Sequence, residues 1–337
     1  MKLRETVRAL MRQGKGILAA DESEKTIASR FGALGIESTE DTRRAYREML
    51  CTTPGIEEYL SGIILFDETL RQAMSDGIPF PQYLFARNIL PGIKVDQGLE
   101  HDPQFGGEVT KGLDGLRSRL KEYIALGAHF TKWRAVVKVG TPPGAAYVRE
   151  QASRLAVYAE ESIAENLVPI VEPEVLMDGA HSAADAEEAI VETLSQVVDA
   201  LQVRDIDLSH LIVKTSMAVS GKDAAHRAGP TEVAERTVRA LTAALPEEVG
   251  GVVFLSGGQV STEAMQNLNA IARLEPLPWD VTFSFSRALQ NEPMEAWKGL
   301  SDNVPEAQSI FLERLSLTRA ADAGGYSKSE EEGSLTA

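Results

Sequence analysis

The chain has 337 residues, 43% of them hydrophobic, which is enough to bury the core of one large domain or of two small ones. Acidic residues outnumber basic ones by 50 to 34, and the net charge of -16 predicts no binding to nucleic acid or to an anionic membrane. The single cysteine excludes an intrachain disulfide, and the charged amino terminus lacks a secretory signal, so we expect a cytoplasmic protein.

Eight short apolar runs are predicted to be β-strands, and each is followed by a segment with helical periodicity. The segment 184–201, for example, places Ala186, Ile190 and Leu194 on one face of a helix. Strands that are separated by roughly 30 to 45 residues, with a helix in each gap, require parallel pairing. The predicted strands are 16–20, 62–66, 92–95, 130–137, 168–171, 211–213, 252–255 and 281–285.

Eight such strand–helix units predict one α/β domain over residues 1–323, a (β/α)8 (TIM) barrel with its active site at the carboxyl ends of the strands. A doubly wound open sheet is the structural alternative. Residues 324–337 are rich in Gly, Ser and Glu and are predicted to form a flexible tail.

Polar residues stand at or just after the ends of most of these strands. Burying each charge alone would cost several kcal/mol, whereas charges gathered around one pocket would neutralise one another. In chain order these residues are Asp21, Lys94, Asp96, Lys132, Arg134, Glu172, Glu174, Lys214, Ser256, Gly257, Gly258, Ser284 and Arg287.

Lys214 follows three consecutive apolar residues of a predicted strand and is a candidate nucleophile. Its amine must be neutral to attack a carbonyl, and lowering its pKa from about 10.4 to about 7–8 requires roughly 4 kcal/mol. Nearby cations can supply that shift, and Lys94 and Lys132 are the candidates. One such lysine alone is most simply a salt-bridge partner, but lysines at three strand ends favour a catalytic site.

Asp21 and Glu172 fit two different proton-transfer tasks. Schiff-base chemistry needs one group to dehydrate the carbinolamine and another to move the proton of a substrate hydroxyl. A structural pairing with a lysine or an arginine is the alternative for each carboxylate. The role of Glu174 is left open.

The loop 255–259 follows a strand and precedes a helix, so its backbone N–H groups can face an anion. Barrels often bind phosphate at the loops after strands seven and eight, and we therefore predict a phosphate between residues 256–258 and Arg287. The five histidines show neither HxH nor HExxH spacing, so no metal site is predicted, although ligands from distant loops are the alternative.

Ten motifs stand in order between about residue 14 and residue 317: GKGILAADES, GIILFDETL, FPQYLF, GIKVDQG, GLDGL, FTKWRAVV, VPIVEPEVL, FLSGGQ, LNAI and TFSFSRALQ. Together they resemble the class I fructose-bisphosphate aldolases, the metal-independent Schiff-base type. The resemblance implies reversible cleavage of fructose 1,6-bisphosphate to dihydroxyacetone phosphate and glyceraldehyde 3-phosphate, in glycolysis, gluconeogenesis or carbon fixation. It also implies a homotetramer without a cofactor.

The same resemblance implies roles for individual residues. Lys214 resembles the Schiff-base lysine, Asp21 the residue that handles the C4 hydroxyl proton, Glu172 the acid/base of imine formation, and Lys132 a supporting charge. Three groups of residues resemble substrate contacts: Ser256, Gly257, Ser284 and Arg287 at the C1 phosphate, Ser23, Lys94, Thr26 and Arg30 on the C6-phosphate side, and Arg134 and Glu174 lining the pocket.

The sequence departs from the family pattern at several positions. Thr215-Ser216 follows Lys214 where animal members usually have Pro-Asn, which removes a rigid residue beside the nucleophile. Gln97 stands where a lysine is common, and Thr26 where a serine is common, which affects the distal phosphate contacts. Tyr326 is followed by SKSEEEGSLTA and is not assigned the role of the carboxyl-terminal tyrosine of animal members.

Three alternatives to this function stay open. One is a related Schiff-base aldolase or transaldolase that acts on another phosphorylated sugar. Another is a metal-dependent aldolase, which loss of activity on chelation would reveal. The third is a non-catalytic barrel used as a binding scaffold, against which the complete set of acid and base residues argues.

Overall fold

A computed structural model of the chain describes residues 2–105, 107–140 and 144–327. Within these ranges, eight parallel strands form one sheet in the order β1-β2-β3-β6-β7-β8-β9-β10, and β4 and β5 form an antiparallel hairpin. The strands are β1 (Gly16–Ala20), β2 (Leu60–Leu65), β3 (Leu90–Lys94), β4 (Leu99–Asp102), β5 (Gly107–Thr110), β6 (Phe130–Val137), β7 (Val168–Val175), β8 (Ile212–Thr215), β9 (Val252–Phe254) and β10 (Val281–Phe283).

The first and last strands of this sheet meet, where Ala19 N donates a hydrogen bond to Phe285 O at 2.9 Å. Every neighbouring pair in between is parallel, with helices in the connections. The predicted (β/α)8 barrel is therefore confirmed, and the open-sheet alternative was wrong.

Most helices occupy the connections between the barrel strands, whereas α1 precedes β1 and α11 and α12 follow β10. In α8, Ala186, Ile190 and Leu194 are buried, as the periodicity predicts. The helices are α1 (Leu3–Leu10), α2 (Glu24–Ala33), α3 (Glu40–Thr52), α4 (Asp67–Arg71), α5 (Phe80–Ala86), α6 (Leu116–Ala125), α7 (Ala145–Ala164), α8 (Ala183–Val203), α9 (Pro230–Ala244), α10 (Ser261–Ala272), α11 (Arg287–Trp297) and α12 (Val304–Asp322).

The amino-terminal end of the barrel is closed by apolar side chains. Phe130 fills the interior, and a Cβ atom at Gly92 would overlap its ring. Helix α1 covers this end, with Leu10 fully buried and Met11 packed so closely that a Cβ at Gly251 would lie 2.6 Å from its Cγ. The charged residues that follow the apolar runs lie at the opposite, carboxyl ends of the strands.

The first residues of the predicted tail contact α10. Tyr326 is 5% exposed, and its backbone N–H donates to Asn269 Oδ1 at 2.9 Å. Arg273 Nε donates to the Gly324 carbonyl at 2.9 Å. Residues 328–337 of the predicted tail lie outside the described residues. None of the helices in the described ranges is long and apolar enough to span a membrane.

Candidate active site

Four side chains meet at the carboxyl ends of the barrel strands and form what we call the lysine–carboxylate cluster: Asp21, Lys132, Glu172 and Lys214. Lys214 Nζ lies 3.1 Å from Glu172 Oε1. Lys132 Nζ lies 3.1 Å from Glu172 Oε2 and 2.7 Å from Asp21 Oδ2. All four residues are buried, so the structure brings together the four residues that the sequence analysis predicts as catalytic.

The register of the strands explains why these side chains meet. Val171 pairs with Val213 across β7 and β8, so the residues that follow them, Glu172 and Lys214, lie side by side. Neighbours in register project to the same face of a sheet. On the other side of the barrel, Asp21 directly follows β1, and its carboxylate reaches Lys132 on β6.

The charges of the cluster fix its protonation state. Burial alone would raise the pKa of Asp21, but Lys132, Lys214 and Lys94 together lower it to about 2. Burial likewise opposes ionisation of Glu172, and the charges of Lys132 and Lys214 hold its pKa below the usual value. Burial lowers the pKa of Lys132, but Asp21 and Glu172 raise it above its usual value. Both carboxylates and Lys132 are therefore charged at neutral pH.

The two lysines predicted to act on Lys214 each have a carboxylate partner. Lys132 is shared between two carboxylates, and Lys94 Nζ lies 3.2 Å from Asp96 Oδ1. Glu172 lies between the amines of Lys132 and Lys214. The proton of Lys214 thus has an acceptor within hydrogen-bonding distance.

Arg134 and Glu174 form an ion pair beside the cluster. The backbone N–H of Arg134 also donates to Asp96 Oδ2 at 3.3 Å. Asp96 therefore connects Lys94 on β3 with β6, a role that the sequence analysis missed although it noted Asp96 at the strand end. The sequence did carry a signal for this contact, because Asp96 lies two residues after Lys94 at the end of the strand.

The residues after β9 and β10, where the sequence predicts a phosphate site, lie close together. Gly257 and Gly258 have φ values of 50° and 95°, in the left-handed region that favours glycine. A Cβ at Gly258 would lie 3.8 Å from an Nη atom of Arg287. Ser284 Oγ is buried and has no hydrogen-bond partner among the described residues. Ser256, at the start of the same loop, is also buried.

After β1, which neighbours β10 in the barrel, Ser23 caps α2. Its Oγ accepts a hydrogen bond from Thr26 N at 3.3 Å and lies 3.0 Å from Thr26 Oγ1. Arg30, also predicted to contact the substrate, forms an ion pair with Glu22, whose other carboxylate oxygen lies 2.7 Å from Arg47 Nη2. Glu22 was not among the predicted residues, because nothing in the sequence shows which of the nearby arginines it contacts.

No group of three or more histidine, cysteine, aspartate or glutamate side chains in the described part of the chain is arranged to hold a metal ion. The chemistry available in the pocket is that of amines, carboxylates and hydrogen-bond donors to an anion.

The fold and this site define a (β/α)8-barrel enzyme with a lysine and carboxylates at its centre. A family model described as fructose-bisphosphate aldolase class-I matches residues 2–337. The chain belongs to the class I fructose-bisphosphate aldolase family, a family of lyases, so the predicted family and enzyme class are confirmed.

Individual relatives agree with this assignment. The chain is 46% identical to a probable fructose-bisphosphate aldolase class 1 from Xanthomonas axonopodis pv. citri, covering 96% of this chain and 98% of the relative. It is 44% identical to the fructose-bisphosphate aldolase of Dictyostelium discoideum, covering 98% and 94%. A solved fructose-bisphosphate aldolase from Plasmodium falciparum, in complex with TRAP and a small molecule inhibitor, superposes with a TM-score of 0.94 at 42% identity, covering 96% of this chain and 95% of that one.

Proposed function

We propose that this chain cleaves fructose 1,6-bisphosphate reversibly into dihydroxyacetone phosphate and glyceraldehyde 3-phosphate through a Schiff base on Lys214. The observation that carries the proposal is the buried contact of 3.1 Å between Lys214 Nζ and Glu172 Oε1. A nucleophilic amine needs a base to take its proton, and an ionised carboxylate at hydrogen-bonding distance is suited to that task.

The cluster offers a group for each proton that moves during imine formation and carbon–carbon cleavage. Glu172 accepts a proton from Lys214 as the amine attacks the C2 carbonyl, and it returns a proton to the carbinolamine oxygen, which leaves as water. Asp21, ionised because its pKa is about 2, accepts the C4 hydroxyl proton as the C3–C4 bond breaks. The electron pair of that bond moves towards the iminium nitrogen and gives an enamine. Lys132 stabilises both carboxylates throughout.

Two sets of residues are proposed to hold the phosphates of the substrate. Ser256, Gly257, Gly258, Ser284 and Arg287 would surround the C1 phosphate, which is supported by the unpartnered Ser284 hydroxyl and the glycine backbone beside Arg287. The distal phosphate would contact a second set of residues: Ser23, Thr26, Arg30 and Lys94. Arg134 and Glu174 would line the space between the two phosphates.

The remaining features of the proposal combine the expectations from charge and composition with those from the family resemblance. We propose a cytoplasmic homotetramer that uses no cofactor and binds neither nucleic acid nor membrane, with residues 1–323 as the catalytic domain and 324–337 as a tail. One relative from Arabidopsis thaliana is named a cytosolic aldolase.

The proposed iminium is the electron sink of the reaction, so activity should persist in EDTA, and full loss on chelation would contradict the lysine mechanism. Mass photometry would test the tetramer.

The decisive experiment is trapping of the imine. Borohydride in the presence of dihydroxyacetone phosphate should add a covalent mass at Lys214, and Lys214→Ala should abolish that addition. Lys121→Ala, which removes a lysine whose side chain is 64% exposed, is the control that should still be labelled. Labelling that persists in Lys214→Ala would refute the assignment.

A substrate comparison tests the distal phosphate contacts. Fructose 1-phosphate lacks the distal phosphate, so it should be turned over more slowly than fructose 1,6-bisphosphate. Near-equal rates would instead favour a Schiff-base aldolase that acts on a different phosphorylated sugar.

A further inference from the structure

One hydroxyl group joins the two strands that carry Glu172 and Lys214. Ser216, which directly follows β8, accepts a hydrogen bond from Val175 N at 3.0 Å and donates one to Val175 O at 2.9 Å. Ser216 is 4% exposed, so bulk water has no access to replace this double link. A serine hydroxyl is suited to the position because it donates and accepts at the same atom.

This link stands just beyond the reactive pair. The paired register of β7 and β8 ends at Val171 and Val213, the residues immediately before Glu172 and Lys214. The two functional side chains are thus held between the end of the backbone pairing on one side and the Ser216 hydroxyl on the other.

Pro173 explains why the backbone alone does not make this link. Backbone groups along a strand point alternately to its two neighbours. Leu176 N donates to Val137 O on β6, so the groups of Val175 and Pro173 point to β8. Proline has no N–H, so the pairing loses a donor at Pro173. The next N–H that points to β8, that of Val175, meets the Ser216 hydroxyl.

We propose that Ser216 is a positioning residue: its hydroxyl fixes the end of β8 against β7 and thereby sets the approach of Lys214 to Glu172. This inference rests on the proposed function, because it concerns proton transfer between these two groups. A misplacement of about 1 Å at a reacting pair can slow a reaction about 100-fold. The proposed phosphate contacts lie on other strands and loops, so substrate binding should change little.

The test compares Ser216→Ala with a matched control at the other end of the barrel. Ser61 is 3% exposed and donates to Leu10 O at 2.6 Å and Gly16 O at 3.1 Å, so Ser61→Ala also removes two buried hydrogen bonds. Ser216→Thr keeps the hydroxyl and serves as the rescue variant. Steady-state kinetics, thermal unfolding and the rate of borohydride trapping are measured for each.

Ser216→Ala is expected to lower kcat about 10- to 100-fold with KM within about twofold of wild type, and to slow trapping by the same factor. Ser61→Ala should lower Tm but keep kcat, and Ser216→Thr should keep most of kcat. A kcat for Ser216→Ala within about twofold of wild type overturns the proposal.

If Ser216→Ala does not fold, Ser216→Cys replaces it, because a thiol has nearly the same shape but bonds weakly. The same fall in kcat is then expected, and an unchanged kcat again overturns the proposal. A wild-type chain that is not trapped at Lys214 would refute the proposed function itself, which is a different outcome.

Discussion

Replacing Lys132 by methionine removes the cation that two buried carboxylates share. Methionine has a similar length and no charge, so the change isolates the electrostatic contribution. Breaking a buried ion pair by removing one partner typically destabilises a protein by about 3–5 kcal/mol. Lys132, Lys214 and Lys94 together lower the pKa of Asp21 from 3.8 to about 2, which corresponds to about 2 kcal/mol of stabilisation. Lys132 has the largest effect of these cations and is the one in contact with the carboxylate.

The variant should also reverse the pH dependence of the free energy of unfolding. In the wild type, the Asp21 contribution is fully present above the unfolded pKa of 3.8 and is lost only as pH falls towards 2, so it is constant at neutral pH. Without Lys132, we expect burial to outweigh the remaining attraction of Lys214 and Lys94 and to raise the pKa of Asp21 above its unfolded value. Stability then falls as pH rises from about 4, by at most about 1.4 kcal/mol per pH unit for each group that is still protonated.

Urea unfolding followed by tryptophan fluorescence at pH 5, 6, 7 and 8 measures both effects. Lys222→Met is the control, because the pair of Lys222 with Asp178 is more than half exposed on both sides and its loss should leave the unfolding midpoint unchanged. Lys132→Met should also lose nearly all turnover. A variant as stable as wild type, with no dependence on pH, would refute the reasoning about the cluster.

Two further predictions concern the anion site and the carboxyl-terminal segment. Arg287→Ala should weaken phosphate binding by about 1.5–3 kcal/mol and raise KM about 10- to 100-fold, and an unchanged KM in steady-state kinetics would remove Arg287 from the site. Tyr326→Ala should lower the free energy of unfolding by about 3 kcal/mol, because the buried ring leaves a cavity, while kcat stays unchanged. A loss of kcat without a loss of stability would show that Tyr326 takes part in catalysis.

The barrel could be predicted because its strands are short, apolar and regularly spaced. Their ends were harder to place: β7 was expected to stop at Val171 but continues to Val175. Charged residues normally signal the end of a strand, yet Glu172 and Glu174 remain inside β7 because lysine and arginine partners neutralise them. The hairpin β4–β5 was missed, because each strand has only four residues and a single large apolar side chain, Leu99 or Val109, so no apolar alternation is visible.

The members of the site could be predicted, whereas their partners could not. In a parallel barrel all strands end on the same side, so lysines and carboxylates at the strand ends come together whatever the exact register between the strands. That Lys132 bridges Asp21 and Glu172, or that Ser216 bonds Val175, depends on the register between strands. Register is set by the hydrophobic pattern and by the geometry of short turns. The barrel strands are buried on both faces and are joined by helices, so neither signal was available in the sequence.

The closure of the barrel by α1 has a consequence for biosynthesis. Met11 packs against Gly251 beside β9, and Arg4 pairs with Asp207 at 3.0 Å, so residues 3–11 find their partners late in the chain. Those residues leave the ribosome long before β9 is made, and contacts of such long separation form slowly. This amphipathic segment therefore lacks its native contacts during most of translation. We expect chaperones that bind nascent chains to recognise it in that period.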